Sequence, residues 1–167
     1  MKSFLQRHKF FILFTVIFCI AELLVDPRGN FPLNDDWAYG QTLLFYCRTD
    51  QMFLGNFPAM TMATHILWGY LFTKMFGLSF FVLRCSTLIA TLIGMAFLYK
   101  LVVRISRNQA LALLCCLTLA FNPMVFNLSN SFMTDANFNT LVILCSYFIY
   151  DFIQSRNVVS YLLLVFF

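Results

Sequence analysis

Apolar residues in this chain come in long runs separated by short polar stretches. The runs cover 10–25, 59–77, 80–99, 110–127 and 138–150, and a last one begins at 158. None alternates strictly as a barrel strand does, and each is long enough for several helical turns, so the pattern predicts helices. The first run is about 24 Å long at 1.5 Å per residue, a little short of the roughly 30 Å hydrocarbon core, a gap that Lys9 can close by snorkelling. A segment that crosses lipid must satisfy its own backbone hydrogen bonds. The expected fold class is therefore all-α: a polytopic helical membrane protein, with residues 1–167 forming part of one transmembrane domain.

Composition sharpens the picture. Hydrophobic residues make up 61% and charged residues 11% of the chain, where an ordinary soluble domain carries about 25% charged. The net charge of +4 comes from basic residues clustered between apolar runs. That is topology information, and no nucleic acid is expected as a partner. The six cysteines sit mostly inside apolar runs without metal-ligand spacing and act as small hydrophobes; neither a metal nor a cofactor is expected.

Lys2, Arg7, His8 and Lys9 precede the first run, no small-x-small cleavage site follows it, and further spans come later. The run is expected to be a signal anchor with a cytoplasmic N-terminus, in a plasma (inner) membrane. Two topologies follow. If 59–77 crosses fully, Lys100, Arg104 and Arg107 fall outside, against the positive-inside rule. If it lies in the outer interface, which suits Thr61, His65, Trp68, Tyr70 and Lys74, those cations are cytoplasmic, Asp135 is outside and Arg156 is cytoplasmic again. The second is adopted. It gives spans at about 10–25, 80–99, 110–127, 138–150 and 158 onward, with interfacial juxtamembrane helices at about 36–47 and 59–77 in the first outer loop. Because the chain stops within an apolar run, it is expected to be the N-terminal part of a longer protein and inactive alone.

With only seven acidic residues in the chain, the pair Asp35 and Asp36 in Phe31-Pro-Leu-Asn-Asp-Asp-Trp-Ala-Tyr-Gly40 invites a chemical reading. Consecutive side chains on a helix diverge by about 100°, so they cannot both face one cavity. One is a candidate general base and the other holds the helix start, with Asn34 or Asp35 as cap; alternatively both only complement the helix N-terminus. Asp135, in Thr134-Asp-Ala-Asn137, is equally an N-cap or a functional acid. Arg84 lies inside an apolar run without an acid within four positions, and a carboxylate or lipid phosphate is its cheapest partner unless it snorkels. Lys74 and His65 could contact a phosphate or be plain interfacial residues. Asn127-Leu-Ser129 fits a glycosylation sequon, a weak pattern. Gly-rich phosphate loops, HExxH and nucleophile elbows are absent from the sequence.

The order of parts is more telling than any one of them. A basic N-terminus and one span lead to Asn34-Asp-Asp-Trp-Ala-Tyr39, then Gly55-Asn-Phe-Pro58, Phe76-Gly-Leu-Ser-Phe-Phe-Val-Leu-Arg84, and Asn122 through Asp135. This resembles the N-terminal part of GT-C glycosyltransferases of the protein O-mannosyltransferase and aminoarabinose transferase type (glycosyltransferase family 39-like). The resemblance implies an enzyme of the outer membrane face that takes a sugar from a polyprenyl-phosphate donor, with membrane lipids around it and an unspecified acceptor. It puts the catalytic base on Asp35, a second outer-loop acid on Asp135 and the Arg of the FG-x6-R stretch on Arg84. Aminoarabinose transferases tend to carry Glu-Lys before the proline of the second motif; Asn56 and Phe57 stand there.

The chemistry agrees independently. A sugar phosphate already has a good leaving group, so one carboxylate to take the acceptor proton and cations to hold the phosphate suffice for an inverting displacement. Asp35 and Asp135 are thus the expected catalytic residues, and Asp36, Arg84, His65 and Lys74 the expected substrate-binding ones. A multi-pass transporter or a non-catalytic assembly subunit is the competing class, although the acids sit at span ends and transport sites are usually built near the midplane.

Overall fold

The computed structural model describes residues 4–33, 35–51, 63–156 and 158–166. Asn34, the stretch from Gly55 to Pro58 and the beginning of the 59–77 run lie outside the described residues. Eight helices are described: α1 (Phe4–Val25), α2 (Asp36–Thr49), α3 (Ala63–Phe76), α4 (Phe80–Ser106), α5 (Gln109–Ala120), α6 (Pro123–Ser129), α7 (Thr134–Ser155) and α8 (Val158–Phe166). Three stretches, His8–Val25, Phe80–Ser106 and Thr134–Ser155, are long and apolar enough to cross a membrane. The chain has the fold of a polytopic helical membrane protein.

The apolar run at 110–127 is divided into α5 and α6, which meet at a 70° bend. Pro123 explains the break: it has no N–H to continue the ladder and it disfavours helical geometry at Asn122. The pair is a fourth span if both halves belong to one crossing. Asn108 starts α5 sharply, its side-chain oxygen accepting from the N–H groups of Ala110 (2.9 Å) and Leu111 (3.1 Å). Four of the described helices close on a left-handed residue that is not glycine: Asp26 (φ 55°) after α1, Asp50 (φ 53°) after α2, Arg107 (φ 58°) after α4 and Arg156 (φ 51°) after α7.

The chain divides into two compact units. The first comprises residues 1–26, 91–122 and 138–167 and is built from α1, the later part of α4, α5, most of α7 and α8. Phe14, Phe18, Met95, Cys116 and Ala120 are fully buried in it. Phe11 packs against Tyr99 (centroids 5.4 Å) and Phe18 against Phe121 (6.3 Å), so α1 lies along both α4 and α5. A Cβ on Gly94 would stand 3.0 Å from Thr140 Oγ1 and 3.3 Å from its Cα, so α4 and α7 cross through small residues, the usual means of close approach between helices in lipid. Arg104, over the Tyr147 ring, pairs with Asp151, which also accepts from Ser160 and so joins the ends of α4 and α7 to α8.

The second unit comprises residues 27–90 and 123–137. Its core is Tyr39 and Leu43 of α2, Ile66 of α3, Leu83 of α4 and Phe132 of the loop before α7. Gly69 is required where it stands, since a Cβ there would meet the Phe132 ring at 2.6 Å and Leu43 at 3.2 Å. Tyr46 and Tyr70 continue the α2–α3 contact edge to face at 4.9 Å, and the indole Nε1 of Trp68 donates to the Ser86 carbonyl at 3.0 Å, tying α3 to α4.

Candidate active site

Asp35 and Asp36 open α2 and have opposite environments. Asp36 is 0% exposed, and its Oδ1 accepts the N–H of Leu33 at 3.0 Å. Asp35 stands at the cap position, where its carbonyl accepts the N–H of Ala38, yet its carboxylate makes no capping hydrogen bond and is exposed. The adjacent carboxylates have therefore divided the work: one is folded into the turn and the other is presented.

The segment ahead of them is held from α4. Arg84, 1% exposed, donates from Nη1 to the carbonyls of Pro27 (3.0 Å) and Gly29 (3.2 Å) and from Nη2 to that of Phe31. Its guanidinium also lies over the Phe31 ring at 5.0 Å and interacts electrostatically with Asp36. The Phe80 N–H donates to Asn30 Oδ1 at 2.9 Å. Gly29 (φ +134°) fits this segment because a side chain there would be strained and would collide with the Phe31 ring. A buried guanidinium is costly without partners, and here three carbonyls accept from it while the Asp36 charge acts on it electrostatically.

Asp135 is in the first turn of α7 and exposed. Two residues on, Asn137 Nδ2 lies 2.6 Å from Nδ1 of His65, which is 4% exposed. The imidazole stacks on Phe132 (centroids 3.9 Å, 25° between planes) and meets the Tyr39 ring edge to face at 5.7 Å. Burial pushes its pKa from 6.5 down to about 4, partly offset by the Phe132 main chain, so the ring is neutral near pH 7. Lys74 is exposed in the last turn of α3, with Nζ 5.1 Å from the Tyr70 ring centre; the Tyr70 hydroxyl raises its pKa.

Of the six residues singled out from the sequence, Asp35, Lys74 and Asp135 are exposed, and Asp36, His65 and Arg84 are buried. All six belong to the second unit. Tyr39, Phe132 and Asn137 are the additions. Asn137 had a signal, a third polar residue after Thr134 and Asp135 in the first turn of a largely apolar helix, whereas Tyr39 and Phe132 are indistinguishable from ordinary core aromatics in the sequence. Between α2 and the start of α4 lies a cavity of about 360 Å³, walled by Trp37, Leu44, Leu78 and Phe80 with Gln41 and Asn30 at its polar edge.

Compared with known proteins, residues 59–167 match the family model described as dolichyl-phosphate-mannose-protein mannosyltransferase. No curated protein and no solved structure matches the chain. The matched stretch contains His65, Lys74, Arg84 and Asp135, while Asp35 and Asp36 lie ahead of it. Because the match takes in well over half of a chain whose fold is that of a helical membrane protein, this protein belongs to the dolichyl-phosphate-mannose-protein mannosyltransferase family, whose members are polyprenyl-phosphate-sugar glycosyltransferases.

Proposed function

We propose that this chain carries the acceptor-activating part of an inverting glycosyltransferase that works on the outer face of the membrane. The observation that carries the reading is the division of the acidic pair: Asp36 is buried in the turn, and Asp35 is exposed with a carboxylate that no capping bond occupies. Asp35 is the general base. It takes the proton of an acceptor hydroxyl as that oxygen attacks the anomeric carbon; the bond from that carbon to the phosphate oxygen breaks, and the polyprenyl phosphate leaves with the electron pair. One displacement inverts the anomeric centre and needs no second carboxylate at the close spacing of a retaining pair. Asp135 orients the acceptor or the base, and Lys74 is a cation for the departing phosphate.

Charge placement supports the orientation. The Phe11–Tyr99 contact and the Arg104–Asp151 pair bring the start of α1 and the ends of α4 and α7 to one end of the first unit. Lys9, Lys100, Arg104, Arg107 and Arg156 gather there, and the positive-inside rule makes that end cytoplasmic. With that end cytoplasmic, one crossing by α1 takes the chain to the outer side ahead of Asp35, and Asp135, at the other end of α7 from Arg156, is outside as well. α2 and α3 are placed in the outer interface, where Trp37, Trp68 and Tyr70 suit the headgroup level.

The test is Asp35→Asn in the full-length enzyme, assayed for transfer from a polyprenyl-phosphate sugar. Transfer falls by about 10²- to 10⁴-fold, the range for loss of a general base; normal transfer removes Asp35 from that role.

A further inference from the structure

The two acids assigned to catalysis belong to different helices, and one buried side chain touches both of their turns. Tyr39 follows Asp35 by four residues on α2, and its ring meets the His65 imidazole edge to face at 5.7 Å. Asn137 follows Asp135 by two residues on α7, and its amide nitrogen lies 2.6 Å from His65 Nδ1. Phe132, 0% exposed, stacks on the other side of the same ring at 3.9 Å. We infer that His65 is a positioning residue that sets the distance between the Asp35 turn and the Asp135 turn.

Three observations carry this. First, His65 is 4% exposed, so it meets no ligand directly and acts through what it touches. Second, the hydrogen bond at its Nδ1 goes to the first turn of α7, where only a few main-chain groups are fixed by the helix itself. Third, the ring cannot shift alone. Phe132 beneath it is pinned by Gly69 of the same helix α3, with no room for even a methyl group between them. An uncharged imidazole suits the place, because it accepts the amide N–H of Asn137 without burying a charge. The inference rests on the roles proposed for Asp35 and Asp135, and its consequence is kinetic: misplacing one of two cooperating groups by about 1 Å can cost a factor of 10² in turnover.

The variant that isolates the bond is His65→Phe, which keeps a ring against Phe132 and Tyr39 and removes Nδ1. In the full-length enzyme kcat falls roughly tenfold to hundredfold with the KM for the lipid-linked donor unchanged. Asn137→Leu gives the same loss, and the double variant is no worse than either single one. His65→Gln, whose side-chain carbonyl can accept the Asn137 proton, recovers most of the activity. Should His65→Phe not fold, Asn137→Leu carries the test. A readout independent of activity uses spin labels at Asp35→Cys and Asp135→Cys in a background without the native cysteines. The distance distribution is narrow with His65 and Asn137 present, and broadened or shifted in His65→Phe and Asn137→Leu. An unchanged distribution overturns the inference whether or not transfer is measured. A changed distribution, together with no transfer by the full-length enzyme that retains both acids, overturns the proposed function and leaves the positioning role standing.

Discussion

Arg84 Nη1 donates to the carbonyl oxygen of Pro27 at 3.0 Å, across 57 residues of sequence. The bond joins α4 to the segment entering α2, and with the Gly29 and Phe31 carbonyls on the same guanidinium it defines the course of the chain up to the acidic pair. A guanidinium presents its donors from separate nitrogens in a rigid planar fork that matches three spread carbonyls, whereas an ammonium offers its donors from one point at the end of a flexible stem. Arg84→Lys and Arg84→Gln are therefore both expected to destabilise the protein, by about 2–4 kcal/mol as buried polar groups lose partners. Thermal unfolding in detergent measures this, with Arg84→Gln the worse of the two because it also removes the charge facing Asp36.

The acidic pair separates stability from activity. Asp35→Asn leaves the thermal midpoint within the small range of a surface substitution, about 0.5 kcal/mol, while abolishing most transfer. Asp36→Ala takes away the acceptor for the Leu33 N–H and the carboxylate beside Arg84, and it lowers stability by about 2–3 kcal/mol. Unfolding curves and transfer rates on the same two variants check the contrast.

His65 makes a pH prediction of definite sign. Its pKa is lowered from 6.5 to about 4 in the folded protein, so between those values the unfolded chain binds the proton and the folded one does not. Its contribution is fully present above pH 6.5, is lost progressively as pH falls towards 4, and changes no further below that. The shift corresponds to about 3 kcal/mol. Thermal midpoints measured between pH 7.5 and 4 should fall more steeply for the native protein than for His65→Phe, where this group is gone.

Gly69→Ala tests the packing that holds the ring of Phe132. Alanine favours a helix over glycine by about 1 kcal/mol, but its methyl group would press on the buried Phe132 ring at 2.6 Å and on Leu43 at 3.2 Å. Overpacking of this kind costs about 1–3 kcal/mol. The net expectation is a modest loss of stability in a thermal melt and a larger loss of turnover, because the displaced ring is the one under His65.

Much of the architecture was legible from runs of apolar residues, because hydropathy determines which helices lipid will accept. The helical membrane fold and the long helices beginning at Phe80 and near Asp135 follow from it. Helix ends were less legible. α4 continues through Lys100 and Arg104 to Ser106, since long basic side chains extend a helix into the interface without breaking it. The bend before Pro123 was written in that residue, but the apolar residues on both sides of Asn122 and Pro123 read as one run. At the site, residue type pointed to Asp35, Asp36, Asp135 and Arg84, but the division between the two neighbouring carboxylates depends on which one reaches the Leu33 N–H. The partners of Arg84 are backbone carbonyls, which carry no mark in sequence, and the match between Asn137 and His65 joins residues 72 positions apart.

The proposed function requires Asp35 and Asp135 to work together on the outer side of the membrane. Asp35→Cys and Asp135→Cys, each in a background without the native cysteines, can be exposed in sealed cells or oriented vesicles to a membrane-impermeant thiol reagent added from one side. Both positions are predicted to react from the external side and to be protected from reagent confined to the cytoplasmic side. Reaction of the two positions from opposite sides would place the acids in different compartments and contradict a shared active site.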